Sequence, residues 1–134
     1  MTTAPNTPPS LRRLEGEAGT ASTELVVVMP LLLLLVLVSV HIGLWFHARH
    51  IVNAAAQEGA RAARAAGATD IDGYDRAQQM LDELGSDAIA DPTVTVSRNT
   101  RTVTVTVTGE ATPVIPGLAI AVQASSTSPL EQFA

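Results

Sequence analysis

Cysteine is absent from this chain, which excludes disulfide staples, a lipidated cysteine anchor and thiolate metal sites. An exported region would have to hold together by packing alone. Lysine is absent as well. All 8 basic residues are arginine, and against 13 acids they leave a net charge of −5, which offers no basic surface suited to nucleic acid. Aromatics make up 3% of a composition that is 46% hydrophobic, so the apolar content is aliphatic. No nucleophile–base pair or phosphate loop stands out. Among the histidines, His47 and His50 would share a helical face and His41 lies deeper, but two imidazoles without an added carboxylate or thiolate make a poor metal site. The chain therefore reads as having no catalytic residues, metal, cofactor or small-molecule substrate.

What it does have is one long apolar run. Residues 25–46 are 22 positions without a formal charge. As a helix they extend about 33 Å, enough to cross a hydrocarbon core of about 30 Å. A removable signal peptide has an apolar region of only about 7–15 residues, although Ala54-Ala55-Ala56 offers a small-residue cleavage site downstream. Arg12-Arg13 is a weak match to a twin-arginine signal, since Glu15 and Glu17 follow in place of an apolar region. Trp45 and Phe46 close the run, with His47, Arg49 and His50 directly after, as expected of an interfacial anchor. Arginines flank both ends, so charge alone does not orient a span. Pro30 removes its own N–H and leaves the Val26 carbonyl without its helical partner, which either kinks the helix or is absorbed by neighbours.

Glu24 stands at the mouth of the run, where loss of hydration penalises a carboxylate. One reading is an acid at the start of a helix capped by Ser22 or Thr23. A second comes from its place five residues after Gly19. The segment Gly19-Thr20-Ala21-Ser22-Thr23-Glu24-Leu25 resembles the processing site of type IV prepilins, in which a polar leader ends in Gly and Glu is the fifth mature residue. Gly16 would put Ala21 there, so only Gly19 places an acid in register. Ser22-Thr23-Glu24-Leu25 running into Met29-Pro30-Leu31-Leu32-Leu33 is similar to the start of TadE-like proteins. The stretch Ala54-Ala55-Ala56-Gln57-Glu58-Gly59-Ala60-Arg61-Ala62-Ala63-Arg64-Ala65 resembles their actinobacterial branch. Together these cover about residues 12–67.

TadE-like proteins are minor pilins or pseudopilins of the tight-adherence (Flp) pilus and secretion system. Leu25 stands where major Flp pilins carry Tyr, which argues against the major fibre subunit. The resemblance implies cleavage between Gly19 and Thr20 by a membrane peptidase, a cytoplasmic leader and an extracytoplasmic C-terminal part. It also implies that Glu24 attracts the freed α-amine of a neighbouring subunit, and that Pro30 marks a helix segment able to loosen during assembly. The implied partners are the lipid bilayer, a prepilin peptidase, other pilins and tight-adherence membrane assembly proteins. The implied location is the cytoplasmic membrane, the pilus or the cell surface.

Residues 1–19 carry Pro5, Pro8 and Pro9 without apolar periodicity and read as a disordered leader. A helix is expected to begin near Ser22 and to continue beyond the span through the alanine-rich residues 51–68. There Ala55, Gly59, Ala63 and Gly67 recur every four residues, a smooth strip for close backbone approach, either to another subunit or to this chain's own sheet. Gly67 also offers a helix end. A shorter helix is expected with Asp72 as N-cap, Tyr74, Ala77, Leu81 and Leu84 at helical spacing, and Gly85 closing it. Asp70-Ile71-Asp72-Gly73 begins like a calcium loop but lacks its sixth-position glycine and closing glutamate.

The period then changes to two. Val94 and Val96, then Val103, Val105 and Val107, alternate with Thr and Ser, predicting two strands joined by a turn around Arg98-Asn99-Thr100-Arg101. A lone hairpin is marginal in water, so a third strand is expected at about residues 119–124. Pro113-Val114-Ile115-Pro116-Gly117-Leu118 reads as an apolar loop that packs on the sheet or touches the outer lipid surface, and residues 125–134 as a polar tail.

The expected fold is α+β and pilin-like. Residues 1–19 are the leader, 20–68 the membrane helix and its extension, and 69–134 a small extracytoplasmic domain with a short helix and a two- to three-stranded antiparallel sheet. The expected function is that of a structural or assembly subunit and not an enzyme. The competing reading is an uncleaved, single-pass membrane-anchored binding module of the cell envelope.

Overall fold

The computed structural model describes residues 11–131, with side chains described from Thr20 onward. Two helices, α1 (Leu11–Arg64) and α2 (Asp70–Leu84), precede the strands β1 (Ile89–Arg98), β2 (Thr102–Ala111) and β3 (Ile120–Pro129). The architecture is α+β, with a long apolar N-terminal helix, a second short helix and a three-stranded antiparallel sheet ordered β1-β2-β3. The chain divides into two compact units, Met1–Ser39 and Val40–Ala134.

In the first unit, α1 begins at Leu11 and not near Ser22. Leu11-Arg12-Arg13-Leu14-Glu15 and Glu17-Ala18 are strong helix formers, and the single Gly16 among them costs only about 1 kcal/mol in a helix that continues for many turns. The disordered reading is thus corrected for residues 11–19; residues 1–10 lie outside the described residues. Helical structure runs through Pro30 without interruption. The Ser39 hydroxyl donates to the Leu35 carbonyl at 2.8 Å, so this polar group finds its acceptor within its own helix.

In the second unit, a layer of helix covers one face of the sheet. The C-terminal part of α1 contributes Ala48, Ile51, Val52, Ala55, Ala56 and Ala60 to the core, and α2 adds Ala77 and Leu81. The sheet meets them with the central-strand residues Val105 and Val107, flanked by Val94 of β1 and by Val122 and Ala124 of β3. Register explains the face: Val94 pairs with Val107, Val96 with Val105 and Val107 with Ala124, so one alternating set points inward. The opposite face carries threonine. Thr104 pairs with Thr127 and Thr106 with Ser125, and their hydroxyls lie 2.8 and 3.2 Å apart.

Three further boundaries, all in the second unit, differ from expectation. The N-cap of α2 is Thr69, not Asp72, which occupies the third helical position and completes a capping box. β3 extends to Pro129 and takes in much of the expected polar tail. It does so because Ser126 and Ser128 pair with the fully buried Val105 and Val103, and the register carries small hydroxyl residues along the edge. Finally, β1 begins at Ile89, ahead of a bulge between Ala90 and Thr93 in which Asp91 has φ 48°. Opposite that bulge stands Gly109, where a Cβ would fall 2.5 Å from Ile89 Cγ2.

Candidate membrane and assembly site

Every described side chain from Thr20 to Val40 is exposed. Leu25, Leu31, Leu33 and Leu35 are each more than 60% exposed, an apolar surface that water does not favour. This part of α1 is long and apolar enough to cross a membrane. Glu24 stands at its head, exposed. Thr20, four residues before Glu24, is also exposed. Gly19 lies within the helical backbone, ahead of the residues whose side chains are described. Pro30 sits between Glu24 and the middle of the run.

The other end of the run is built from aromatic and cationic groups. Trp45 and Phe46 meet edge to face with centroids 5.0 Å apart, and the Arg49 guanidinium lies 5.3 Å from the Trp45 ring centre. His41 is buried, with neither ring nitrogen hydrogen-bonded to a described residue, and the Trp45 indole N–H is in the same condition. His47 and His50 are exposed. Among the described residues, no group of three or more His, Asp or Glu is placed to hold a metal ion.

The four small residues at fourfold spacing separate into two sets. Ala55, Gly59 and Ala63 are buried within the second unit. A Cβ on Gly59 would come within 2.8 Å of the Gly73 carbonyl, 3.0 Å of Ala77 Cβ and 3.1 Å of Val105 Cγ1. A Cβ on Gly73 would in turn lie 2.7 Å from Ala63 Cβ. The strip is therefore a close crossing of α1 and α2 over β2. Gly67 does not belong to it: it lies three residues beyond the end of α1, exposed, with φ 78°. That left-handed conformation is what a side chain would strain.

Arg98, legible in the sequence only as a turn residue, joins three elements. Its Nη2 donates to the Ala63 carbonyl at 2.7 Å and to the Ala68 carbonyl at 3.2 Å, and its Nε donates to Asp70 Oδ1 at 2.6 Å. The last carbonyls of a helix lack internal partners; here Arg98 serves Ala63, and the Glu131 amide serves Arg64 at 3.2 Å. At the start of α2, the Thr69 amide and hydroxyl donate to Asp72 Oδ2 at 2.6 and 2.8 Å. The amide first, then the hydroxyl, and further the charge of Arg98, hold the Asp72 carboxyl below the usual carboxylate range.

This arrangement is that of an α+β chain with one helix suited to cross a membrane and a second unit in which the later part of that helix packs with α2 and the sheet. Residues 19–61 match the family model described as TadE-like protein. The match begins at Gly19, takes in Glu24, Pro30, Ala55 and Gly59, and stops short of Ala63, α2 and the sheet. Neither the curated proteins nor the solved structures compared with the chain give a significant match.

Proposed function

We propose that this protein is a TadE-like minor pilin or pseudopilin of the actinobacterial type, a subunit of a tight-adherence pilus or related secretion system, and not an enzyme. The observation that supports this reading is the extent of the TadE-like match. It starts at Gly19, covers Glu24 at its fifth following position and continues through the exposed apolar run. On this reading a prepilin peptidase cuts between Gly19 and Thr20, residues 25–46 hold the protein in the cytoplasmic membrane, and the outer unit lies on the extracytoplasmic side. Glu24 then sets register between subunits. A carboxylate beside an ammonium gains attraction in a low dielectric and is costly there alone, so it favours the position at which an adjacent subunit supplies its Thr20 amine. Pro30 supplies a turn that loosens as the helix moves from lipid into an assembly. The partners are other pilins and the membrane proteins that assemble them.

The absence of lysine supplies a direct test, because the only primary amine of the chain is its N-terminus. Amine-directed labelling followed by mass spectrometry, in cells that contain a prepilin peptidase, is expected to report Thr20. A terminus at Met1 would overturn the processing reading in favour of an uncleaved membrane-anchored module. Gly19→Ala is expected to block cleavage. Glu24→Ala is expected to be cleaved yet poorly incorporated into pili, and normal incorporation would remove its register role.

A further inference from the structure

We propose that the loop between β2 and β3, residues 112–119, is a second membrane contact, seating Val114 and Leu118 in the interfacial region of the lipid leaflet where the apolar run of α1 ends. The inference rests on the reading that residues 25–46 span the bilayer.

Position carries the argument first. Thr112, Pro113 and Val114 line a shallow cleft of about 290 Å³ together with Leu44 and His47 of α1 and with Asp87 and Ala88. Leu44 and His47 bracket Phe46, the last residue of the apolar run, so Val114 lies level with the final turn of the span. The loop is held there: the Thr112 amide donates to the Ala88 carbonyl and its hydroxyl to the Asp87 carbonyl, both at 3.0 Å.

Chemistry carries it further. No charged side chain occurs between Glu110 and Glu131. Val114, Leu118 and Ile120 are 41%, 48% and 38% exposed in the folded chain. The Leu118 amide donates to the Ile115 carbonyl at 3.1 Å, with Pro116 and Gly117 as the central residues and Gly117 at φ 84°. That is a type II turn with its preferred residues. The tip is thus already ordered, and placing it in lipid loses little chain entropy. Trp45 and the Arg49 guanidinium beside it lie at the same level of α1 and suit the headgroup region. Asp87, the one charged group lining the cleft, is exposed and keeps its access to water. Continuity with the span, an uncharged apolar tip and an adjoining aromatic–cationic belt together select a lipid surface as the occupant.

Because the chain has no cysteine, single-cysteine variants of the full-length protein carry a polarity-sensitive fluorophore at one place. In vesicles of phosphatidylcholine and phosphatidylglycerol, the probe at Leu118→Cys is expected to show blue-shifted emission, quenching by lipids spin-labelled near the headgroup and loss of quenching by iodide. Val114→Cys is expected to behave alike. Thr95→Cys, at an exposed position of β1, should remain open to iodide, and Leu33→Cys should be quenched by lipids labelled deep in the chain. If the Leu118 probe matches that at Thr95 while the Leu33 probe stays in lipid, the loop proposal falls and the span stands. If the Leu33 probe is open to iodide, the span reading itself fails. Protection of Leu118 that appears only as protein density rises would assign the loop to a second copy and overturn the lipid contact.

Discussion

Two stretches of the same helix face different surroundings, and their residues differ accordingly. From Leu25 to Val38 of α1 the side chains are Leu, Val and Met around one proline, all exposed in the folded chain. From Ala48 to Ala63 the core side is Ala and Gly with Ile51 and Val52, and those positions are nearly inaccessible. Large aliphatic groups suit a helix whose solvent is hydrocarbon, because the lipid supplies their packing. Small ones suit a helix that must let a second helix and a strand approach, as at the Gly59–Gly73 crossing. Hydropathy separates the two stretches as well, since Arg49, His50, Asn53, Gln57, Glu58 and Arg61 interrupt only the second, but on the buried side of the helix the difference is one of side-chain volume.

The strongest way to break this contrast is a charge in the first stretch. Leu33→Asp is expected to cost about 2.5–3.5 kcal/mol of insertion near the centre of the span, read as a fall in the membrane-integrated fraction after alkaline extraction. Glu110→Asp on the outer unit should leave integration unchanged. A smaller effect comes from one substitution made twice on the same helix. Gly59→Ala drives a methyl into the Gly73 carbonyl and is expected to lower the stability of the outer unit by about 1–3 kcal/mol, as overpacking does. Gly43→Ala meets nothing within 4 Å and is expected to be neutral or stabilising by up to about 1 kcal/mol. Thermal unfolding in detergent compares the pair, and equal losses would mean that the crossing is not tight.

The smallest effect is a pH dependence confined to the outer unit. The carboxyl of Asp72 titrates lower when folded than when unfolded. Its contribution to stability is therefore complete above the unfolded value, about 3.9 for an ordinary Asp, and is lost as pH falls through the lowered folded value. Hydrogen-exchange protection of α2, taken relative to the intrinsic rate at each pH, is expected to fall in that acid range while the protection of residues 25–38 does not change, and Asp72→Asn should flatten the response.

Much of this was legible because the signals were periodic. The uncharged run, the Val–Thr alternation of β1 and β2, and the apolar spacing of α2 each repeat often enough to define an element. What escaped depended on partners distant in sequence. Ser125, Ser126, Thr127 and Ser128 have no apolar period; they form a strand because β2 presents them with a complete register. Thr69 outcompeted Asp72 as cap because the capping box needs both residues three apart, and either could be read as its first member. The small-residue strip was visible, but its occupant was not: Gly73, the other half of the crossing, looked like part of an acidic loop. Arg98 gave no signal, since its acceptors Ala63 and Ala68 lie 35 and 30 residues away.

That last feature also bears on the order of events as the chain folds. Hairpins close on the microsecond scale and helices faster, but the Arg98 clamp requires the end of α1, the start of α2 and the end of β1 to be in place together. Contacts of such long sequence separation form after local ones. Arg98 is thus expected to engage late, and a residue absent from the transition state governs escape from the native state more than entry to it. In stopped-flow measurements Arg98→Met is expected to hasten unfolding and leave refolding nearly untouched. For a domain with no disulfide to slow its opening, a single guanidinium would then set much of its working lifetime.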